Sequence, residues 1–251
     1  MRTMKSKHIL MSVEEFELME HPFGWKAEYF SGKGHLTPRE NHVRTQLTLA
    51  PQAVGSDRIL SVDSALKEQM IETFFEAFED SVEFCDWSLD DILAHARKNI
   101  NNYFQGVRGN PHLVSKMALE PNSQRIIGLA LFVEKKEQRV DLDLLLVQPS
   151  HQRMGIATEM VASAINSLYA DGVRDLRSGY HICNDRSCAW HRSLGFKEIP
   201  EYFYCRLQAA WYRDRIWRQE KLGLTEQLEQ LRTEKDRWEQ LGKGLEPWDE
   251  S

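Results

Sequence analysis

The sequence predicts an α+β domain, and three observations support that prediction. An apolar run of strand length at 144–147 is followed, after a short polar turn, by an amphipathic helical pattern. Three successive stretches at 112–119, 126–134 and 140–147 have the composition of strands and are separated by turn residues. Two helical patterns precede these strands, and a further strand and helix follow the turn.

Residues 1–57 carry no assignable motif and predict a small β-rich appendage. Two short strands at 26–30 and 35–38 flank a glycine turn, and a third candidate strand covers 44–50. Because sheets of two or three strands are only marginally stable alone, we expect this appendage to pack on the main domain. The main domain is predicted to span residues 58–207.

The main domain is predicted to open with a strand at 59–62 and two amphipathic helices. Asp63 or Ser64 caps the first helix, and Ser88, with Asp91 three residues later, predicts a capping box for the second. Helical spacing predicts which side chains face the core. These residues are Leu66, Met70, Phe74 and Phe78 in the first helix, and Leu89, Ile92, Leu93, Ala96 and Ile100 in the second.

The turn after the apolar strand predicts a phosphate-binding loop. Pro149 closes the strand, and Gly155 lies at the start of a helix whose apolar residues recur at steps of three and four until Gly172. A helix N-terminus carries unpaired N–H groups and a partial positive charge, so a loop around it can hold a pyrophosphate. A glycine there lets the backbone approach an oxygen atom without a side chain in the way.

The C-terminal extension at 208–251 is predicted to be helical and highly charged. A break is expected near Gly223, with Thr225 as the next helix cap. Its short apolar seam spans only two heptads, which does not establish a coiled coil, so a helix lying over the domain and a homodimer contact both stay open.

The elements predicted before this extension are a strand at 175–182, a helix at 187–194 and a closing strand pair at 196–199 and 202–207.

Two motifs resemble those of the GCN5-related N-acetyltransferase (GNAT) superfamily. Gln152-x-x-Gly155-x-Ala157 resembles the acyl-CoA motif of that family. The segment from Asn184 to Phe196 is similar to its second signature, in which an asparagine is followed by a small residue, an aromatic residue and Gly-Phe. The order strand, glycine turn, helix, strand, asparagine, helix and Gly-Phe is specific when these features occur together.

The resemblance covers about residues 58–207 and implies both a fold and a function. The implied fold is a mixed, mostly antiparallel sheet that splays at the strand before the glycine turn, with helices on both faces. The implied function is transfer of an acetyl group from acetyl-CoA to a primary amine by direct attack within a ternary complex, without a metal or a nicotinamide cofactor. The alternative is a catalytically silent acyl-CoA-binding or protein-interaction module on the same fold.

The resemblance also assigns cofactor-binding residues. Backbone groups of Leu145, Leu146 and Val147 would pair with the pantetheine arm as a neighbouring strand does. Asn184 would contact the acyl-CoA arm, although the cap of a helix is an alternative role for this residue. The residues implied to surround the pyrophosphate are Gln152, Arg153, Met154, Gly155, Ile156, Ala157 and Thr158.

Two residues are candidates for proton transfer. His191 stands where many relatives have a tyrosine thought to protonate the CoA thiolate, and an imidazole with an ordinary pKa of about 6.5 can donate a proton near neutral pH. The alternative is a polar helix residue without a role in catalysis. Asp141 takes the place of the carboxylate that acts as a base in histone-type relatives, and Asp143 lies on the same face of the strand. A salt-bridged edge residue is the alternative for Asp141.

The net charge and the composition limit the classes of partner that we expect. The net charge of -6 argues against nucleic acid, and no uncharged stretch approaches the roughly 18 residues that a membrane helix needs. None of the four cysteines has the C-x-x-C spacing of a zinc site. Because no signal-peptide pattern or membrane segment is found, we expect a cytoplasmic protein. The resemblance implies a small-molecule or peptide amine as the acceptor. The acidic connection between the first two helices would attract a cationic acceptor, although helix caps and solvent-facing acids are the preferred explanation of these residues.

Overall fold

This computed structural model describes residues 5–53, 58–136 and 139–247, which form eleven strands and seven α-helices. The strands are β1 (Lys7–Leu10), β2 (Trp25–Phe30), β3 (Lys33–Pro38), β4 (His42–Thr48), β5 (Ile59–Ser61), β6 (Asn110–Pro111), β7 (Lys116–Leu119), β8 (Ile126–Glu134), β9 (Val140–Val147), β10 (Asp175–His181) and β11 (Lys197–Glu198). The helices are α1 (Val13–Leu18), α2 (Lys67–Phe78), α3 (Leu89–Phe104), α4 (Ile156–Ala170), α5 (Asp185–Leu194), α6 (Tyr202–Lys221) and α7 (Leu228–Leu241).

The described chain divides into two compact units. The first unit comprises Arg44–Tyr180 and Arg186–Lys197. The second comprises Lys5–Val43, His181–Asp185 and the chain from Glu198 onward. The strand that we expected at 44–50, within the N-terminal appendage, therefore lies almost entirely in the first unit, as β4.

The first unit is built on an eight-stranded sheet. Seven strands follow the order β11-β4-β10-β9-β8-β7-β5, and β6 pairs with β8. The pairs β5 with β7, β7 with β8 and β8 with β9 are antiparallel, whereas β10 runs parallel to β9. This mixed, mostly antiparallel sheet confirms the predicted fold class.

The strands β9 and β10 separate soon after they meet. Their recorded pairs are Leu176 with Val140 and Arg177 with Asp141. On its other edge, β9 pairs with β8 along its whole length. The second half of β9 therefore has an edge that β10 does not cover within the described residues.

A bulge on β9 changes which side chains face each side of the sheet. Leu131 pairs with Leu144 and Phe132 pairs with Leu142, so Asp143 is the extra residue. Asp141 and Asp143 share one face, as alternation predicts. Beyond the bulge the alternation is offset by one position, which turns Leu145 and Val147 to the opposite face.

Helices cover both faces of this sheet, as predicted. Buried side chains of α2 and α3 pack with β7, β8 and Leu146 on one face. On the other face, buried side chains of α4 pack with Ile127, Val140 and Val147, and Trp190 of α5 lies against this cluster. No helix in the described residues is long and apolar enough to cross a membrane.

Several predicted elements of the first unit are confirmed. Strands β8 and β9 have the predicted bounds, and the helix of the glycine turn ends before Gly172. Asp63 caps a short 3-10 turn that leads into α2, and the Ser88 hydroxyl accepts a hydrogen bond from the Asp91 N–H at the start of α3. Leu89, which we predicted to face the core, is 50% exposed because it is the first residue of α3.

Other predicted elements are wrong. The stretch predicted as one strand at 112–119 contains only β7, since β6 ends at Pro111. The strand predicted at 202–207 is the start of α6, where buried residues follow helical spacing and override the strand propensity of the aromatic side chains. Thr225 caps no helix, since α7 begins later, after Gln227.

The second unit contains a three-stranded sheet and the helices α1, α6 and α7. The sheet has the order β1-β3-β2, and the sequence did not predict β1 or α1. Trp211 of α6 donates its indole N–H to the carbonyl of His21, and its ring contacts Phe23. Tyr204 of α6 contacts Trp238 of α7. Leu231 and Trp238 of the predicted apolar seam are buried, whereas Leu224 is exposed. The end of the predicted extension, 248–251, lies outside the described residues.

Candidate active site

The loop between β9 and α4 has the backbone shape of an anion-binding turn. A 3-10 turn at Pro149–His151 follows the strand, and the Gln148 N–H donates to Ile127 across the sheet. Arg153 and Gly155 both have positive φ, +63° and +80°. Gly155 is the N-cap of α4, and these left-handed residues turn the chain around the first turn of that helix.

The backbone donors of this loop are available to a ligand. The N–H groups of residues 153–158 donate to no acceptor within the described chain, because they precede or begin α4. Together with the partial positive charge of the helix N-terminus, they form a set of donors that fits phosphate oxygens.

Gly155 is required by its backbone conformation and not by crowding. A Cβ atom placed there would meet only Glu159 Oε1, at 3.9 Å. The space in front of Gly155 is therefore open, and an L side chain would be strained because φ is positive. The side chain of the preceding Met154 is exposed.

Gln152 uses its side chain to hold the loop. Its Nε2 donates to the carbonyl of Val147 at 3.2 Å, and its Oε1 accepts from Arg186 Nη1, also at 3.2 Å. Arg186 on α5 and Arg153 in the loop are both exposed cations. The sequence did not single out Arg186, since only the contact with Gln152 brings it to the loop.

Close packing fixes the start of α4 against the sheet beside β9. Gly128 of β8 has no side chain, and a Cβ there would lie 3.0 Å from Met160 Cε and 3.2 Å from the Leu146 carbonyl oxygen. The helix can therefore approach the strand to which the pantetheine arm is predicted to pair. The part of β9 at Leu145–Val147, which does not pair with β10 within the described residues, leads directly into this loop.

The two carboxylates on β9 have different partners. Asp143 receives three hydrogen bonds from Arg108, the shortest of 2.6 Å, and its side chain is 12% exposed. Asp141 pairs with Arg139 of its own strand region at 3.0 Å and is 21% exposed. Asp143 is thus held as a structural ion pair, whereas Asp141 has one partly exposed partner.

His191 is a buried ring in the described structure. It is 2% exposed, and it contacts the rings of Tyr180, Trp190 and Phe196. Its Nδ1 lies 2.8 Å from the Ser187 carbonyl oxygen, and its Nε2 lies 3.0 Å from Ser178 Oγ. The predicted acid position is therefore filled by a histidine whose ring nitrogens both have partners inside the fold.

His95 of α3 is a titratable residue that the sequence did not single out. Its ring contacts Phe74, Phe84 and Trp87. Burial lowers the pKa of His95, and the charges of Lys98 and Arg108 lower it further. The imidazole is therefore neutral at neutral pH, on the same face of the sheet as Asp141 and Asp143.

Asn184 belongs to the second unit. Its N–H donates to the His181 carbonyl at 2.8 Å, which ends β10 before α5 begins. A contact between its side chain and an acyl-CoA arm stays a prediction. Within the described residues, no group of three His, Cys, Asp or Glu side chains could hold a metal ion.

Comparison with solved structures gives weak overall similarity to several acetyltransferases. A GCN5-related N-acetyltransferase from Sphaerobacter thermophilus is 17% identical with a TM-score of 0.44, and the match covers 77% of this chain and 56% of that one. The PaiA N-acetyltransferase from Thermoplasma acidophilum, solved with coenzyme A, is 15% identical with a TM-score of 0.46 and coverages of 57% and 90%. AAC(6')-Iy, solved with a bisubstrate analog, is 20% identical with a TM-score of 0.39 and coverages of 56% and 90%.

A family model gives the stronger result. No curated protein matches the chain significantly. The model of the acetyltransferase (GNAT) family matches residues 65–196, which is just over half of the chain. This match runs from the first main helix to Phe196 and includes both motifs, the splayed strand and the loop with its free N–H groups. The chain therefore belongs to the acetyltransferase (GNAT) family.

Proposed function

We propose that this chain transfers an acetyl group from acetyl-CoA to a primary amine by direct attack within a ternary complex. One observation carries the proposal: the free N–H groups of residues 153–158 continue directly from the uncovered edge of β9. The loop has the donors for a pyrophosphate, and the strand edge has the backbone groups for the amide-bearing pantetheine arm. Arg153 and Arg186 add positive charge for the phosphates.

The chemical step needs a base and a place for the leaving sulfur. The amine nitrogen attacks the thioester carbonyl, the C–N bond forms as the C–S bond breaks, and the electron pair leaves on sulfur. We assign the amine proton to Asp141, through a water molecule if the short side chain does not reach. Asp143 is not assigned this role, because it is held in a part-buried ion pair by three hydrogen bonds from Arg108.

A cationic amine is the acceptor class that the charges favour. The connection between α2 and α3 and the start of α3 carry six acidic residues and no basic one. Ser88 and Asp91 use one of these carboxylates in a helix cap, while Trp87 is partly exposed beside His95. An approaching ammonium group would be attracted by the acids and by the face of the indole ring.

The second candidate function is a silent acyl-CoA-binding module. The burial of His191 favours it, because this ring does not open onto solvent as a direct acid would. A panel of polyamines, aminoglycosides and peptides, incubated with acetyl-CoA and assayed for free thiol, separates the two functions. We expect at least one polycationic amine to be acetylated, whereas stabilisation by CoA without acetylation of any amine would favour the silent module.

A variant pair tests the assigned base. Asp141→Asn should lower turnover by roughly 10²-fold to 10⁴-fold, the range for loss of general base catalysis, with little change in CoA affinity. Asp175→Asn is the control, since Asp175 is an exposed strand residue paired with Thr48. Equal turnover in the wild type and both variants would exclude Asp141 as the base.

A further inference from the structure

Ser178 occupies the point where β9 and β10 part. It is the next residue of β10 after the last recorded pair, Arg177 with Asp141. Its hydroxyl lies 3.5 Å from the carbonyl oxygen of Leu142 on β9, so it faces the opening between the two strands. A pantetheine arm along 145–147 that enters this opening would bring its sulfur towards Ser178.

The ring of His191 lies directly behind this hydroxyl. Ser178 Oγ is 3.0 Å from Nε2, and Nδ1 is 2.8 Å from the Ser187 carbonyl oxygen, closer than the Ser187 hydroxyl at 3.4 Å. A carbonyl oxygen only accepts hydrogen bonds, so Nδ1 carries a hydrogen. In the neutral ring Nε2 therefore accepts from Ser178, and in the protonated ring Nε2 donates to Ser178.

Burial decides which of the two side chains can meet a ligand. His191 is 2% exposed and is enclosed by Tyr180, Trp190 and Phe196. Ser178 is only half-buried. A ligand between the strands can therefore reach the serine hydroxyl and not the imidazole.

We propose that Ser178 is the residue that contacts the sulfur of CoA and that His191 supplies its proton from behind. As the C–S bond breaks, the thiolate takes the proton of the Ser178 hydroxyl, and Ser178 takes the proton of His191 Nε2. His191 is left neutral with its hydrogen on Nδ1, and it regains a proton through the Ser178 hydroxyl once CoA has left. His191 is thus a positioning residue and a proton source, while Ser178 is the catalytic residue. This inference rests on the proposed acetyl transfer.

The first test does not need an acceptor. Nitrogen-15 NMR of the histidine side chains would be recorded with CoA and with desulfo-CoA, which lacks the sulfur. We expect CoA to shift the His191 ring signals and desulfo-CoA to leave them unchanged, with the difference lost in Ser178→Ala. Ser193→Ala is the matched control, because Ser193 is an exposed α5 residue whose hydroxyl donates to the Trp190 carbonyl.

The outcomes separate the two proposals. If both ligands stabilise the fold but shift His191 equally or not at all, the contact with sulfur is wrong while CoA binding stands. If neither ligand binds, the proposed function fails and this inference fails with it. With the fastest amine of the panel, Ser178→Ala should lower kcat by about 10²-fold at unchanged CoA affinity, and Ser178→Thr should restore most of it because a hydroxyl is present. Unchanged kcat in Ser178→Ala would overturn the relay.

Discussion

His95 is a neutral imidazole held among aromatic rings on the α2 and α3 face of the first unit. Burial comes first among the causes that lower its pKa, followed by the charges of Lys98 and Arg108. The unfolded chain therefore binds this proton more tightly than the folded chain. Its contribution to stability is full above the ordinary histidine pKa of about 6.5 and is lost as pH falls through the lower folded pKa.

We expect the free energy of unfolding in urea to fall between about pH 7 and pH 5, and to fall less in His95→Gln. His42→Gln is the control, since His42 is an exposed strand residue. If His95→Gln and the wild type lose the same stability over this range, the burial of His95 does not act on folding.

The roles of individual residues were predictable from the sequence only where those roles depend on backbone geometry. The sequence predicts Gly155 as the residue that lets the backbone approach an oxygen atom, and the structure adds a positive φ of +80° there. The face shared by Asp141 and Asp143 followed from strand alternation. Their partners did not, because Arg108 is distant in sequence and reaches Asp143 only through the fold. The pairing of His191 with Ser178 was hidden for the same reason.

At the scale of the elements, helix α6 places a buried, positively charged side chain inside the second unit. The Arg218 side chain is 5% exposed and lies 2.6 Å from Asp214, one turn earlier. Its Nη1 also lies 3.3 Å from His21 Nδ1. Burial alone would raise the pKa of Asp214, but His21 and Arg218 outweigh it and lower that pKa.

Asp214→Asn should destabilise the protein by roughly 1–3 kcal/mol, because it leaves a buried guanidinium without its carboxylate. This loss of stability is smaller than the loss expected for a fully buried ion pair, since the Asp214 side chain is 41% exposed. Asp236→Asn on α7 is the control, and it should have no measurable effect because the Asp236 side chain is 65% exposed. Urea unfolding at pH 7 measures both, and equal effects would contradict the account of Arg218.

Element type was predictable where pattern and length agree. The strands β8 and β9 and the helices α3 and α4 have long, regular patterns, and the structure confirms them. The stretch at 202–207 has aromatic residues that favour a strand, but its buried residues meet Phe23 and Trp238 only as a helix. Local propensity could not reveal these contacts, because the partners are far away in the sequence.

For the whole molecule, the division of the chain was the feature least visible in the sequence. The second unit joins Lys5–Val43 to the chain from Glu198 onward, through side chains such as Trp211 and Phe23. The sequence predicts an appendage and an extension for these two stretches, because contacts between residues so far apart in the chain have no local signature. The elements that carry the two motifs, from β9 to α5, were predictable, since they are consecutive in the sequence and short turns connect them.

The central assignment is that the loop at 152–158 binds the pyrophosphate of CoA. Gly155→Trp fills the open space in front of the free N–H groups, whereas Gly172→Trp places the same side chain at another positive-φ glycine that has nothing within 4 Å. Both variants carry similar backbone strain, so the comparison isolates the loop.

Thermal unfolding of the wild type and both variants, with and without CoA, is the most direct test. At a CoA concentration a hundred times its dissociation constant, the wild type and Gly172→Trp should each gain about 2.7 kcal/mol of stability. Gly155→Trp should gain almost none. An equal gain in Gly155→Trp would show that CoA binds elsewhere and would contradict the assignment of this loop.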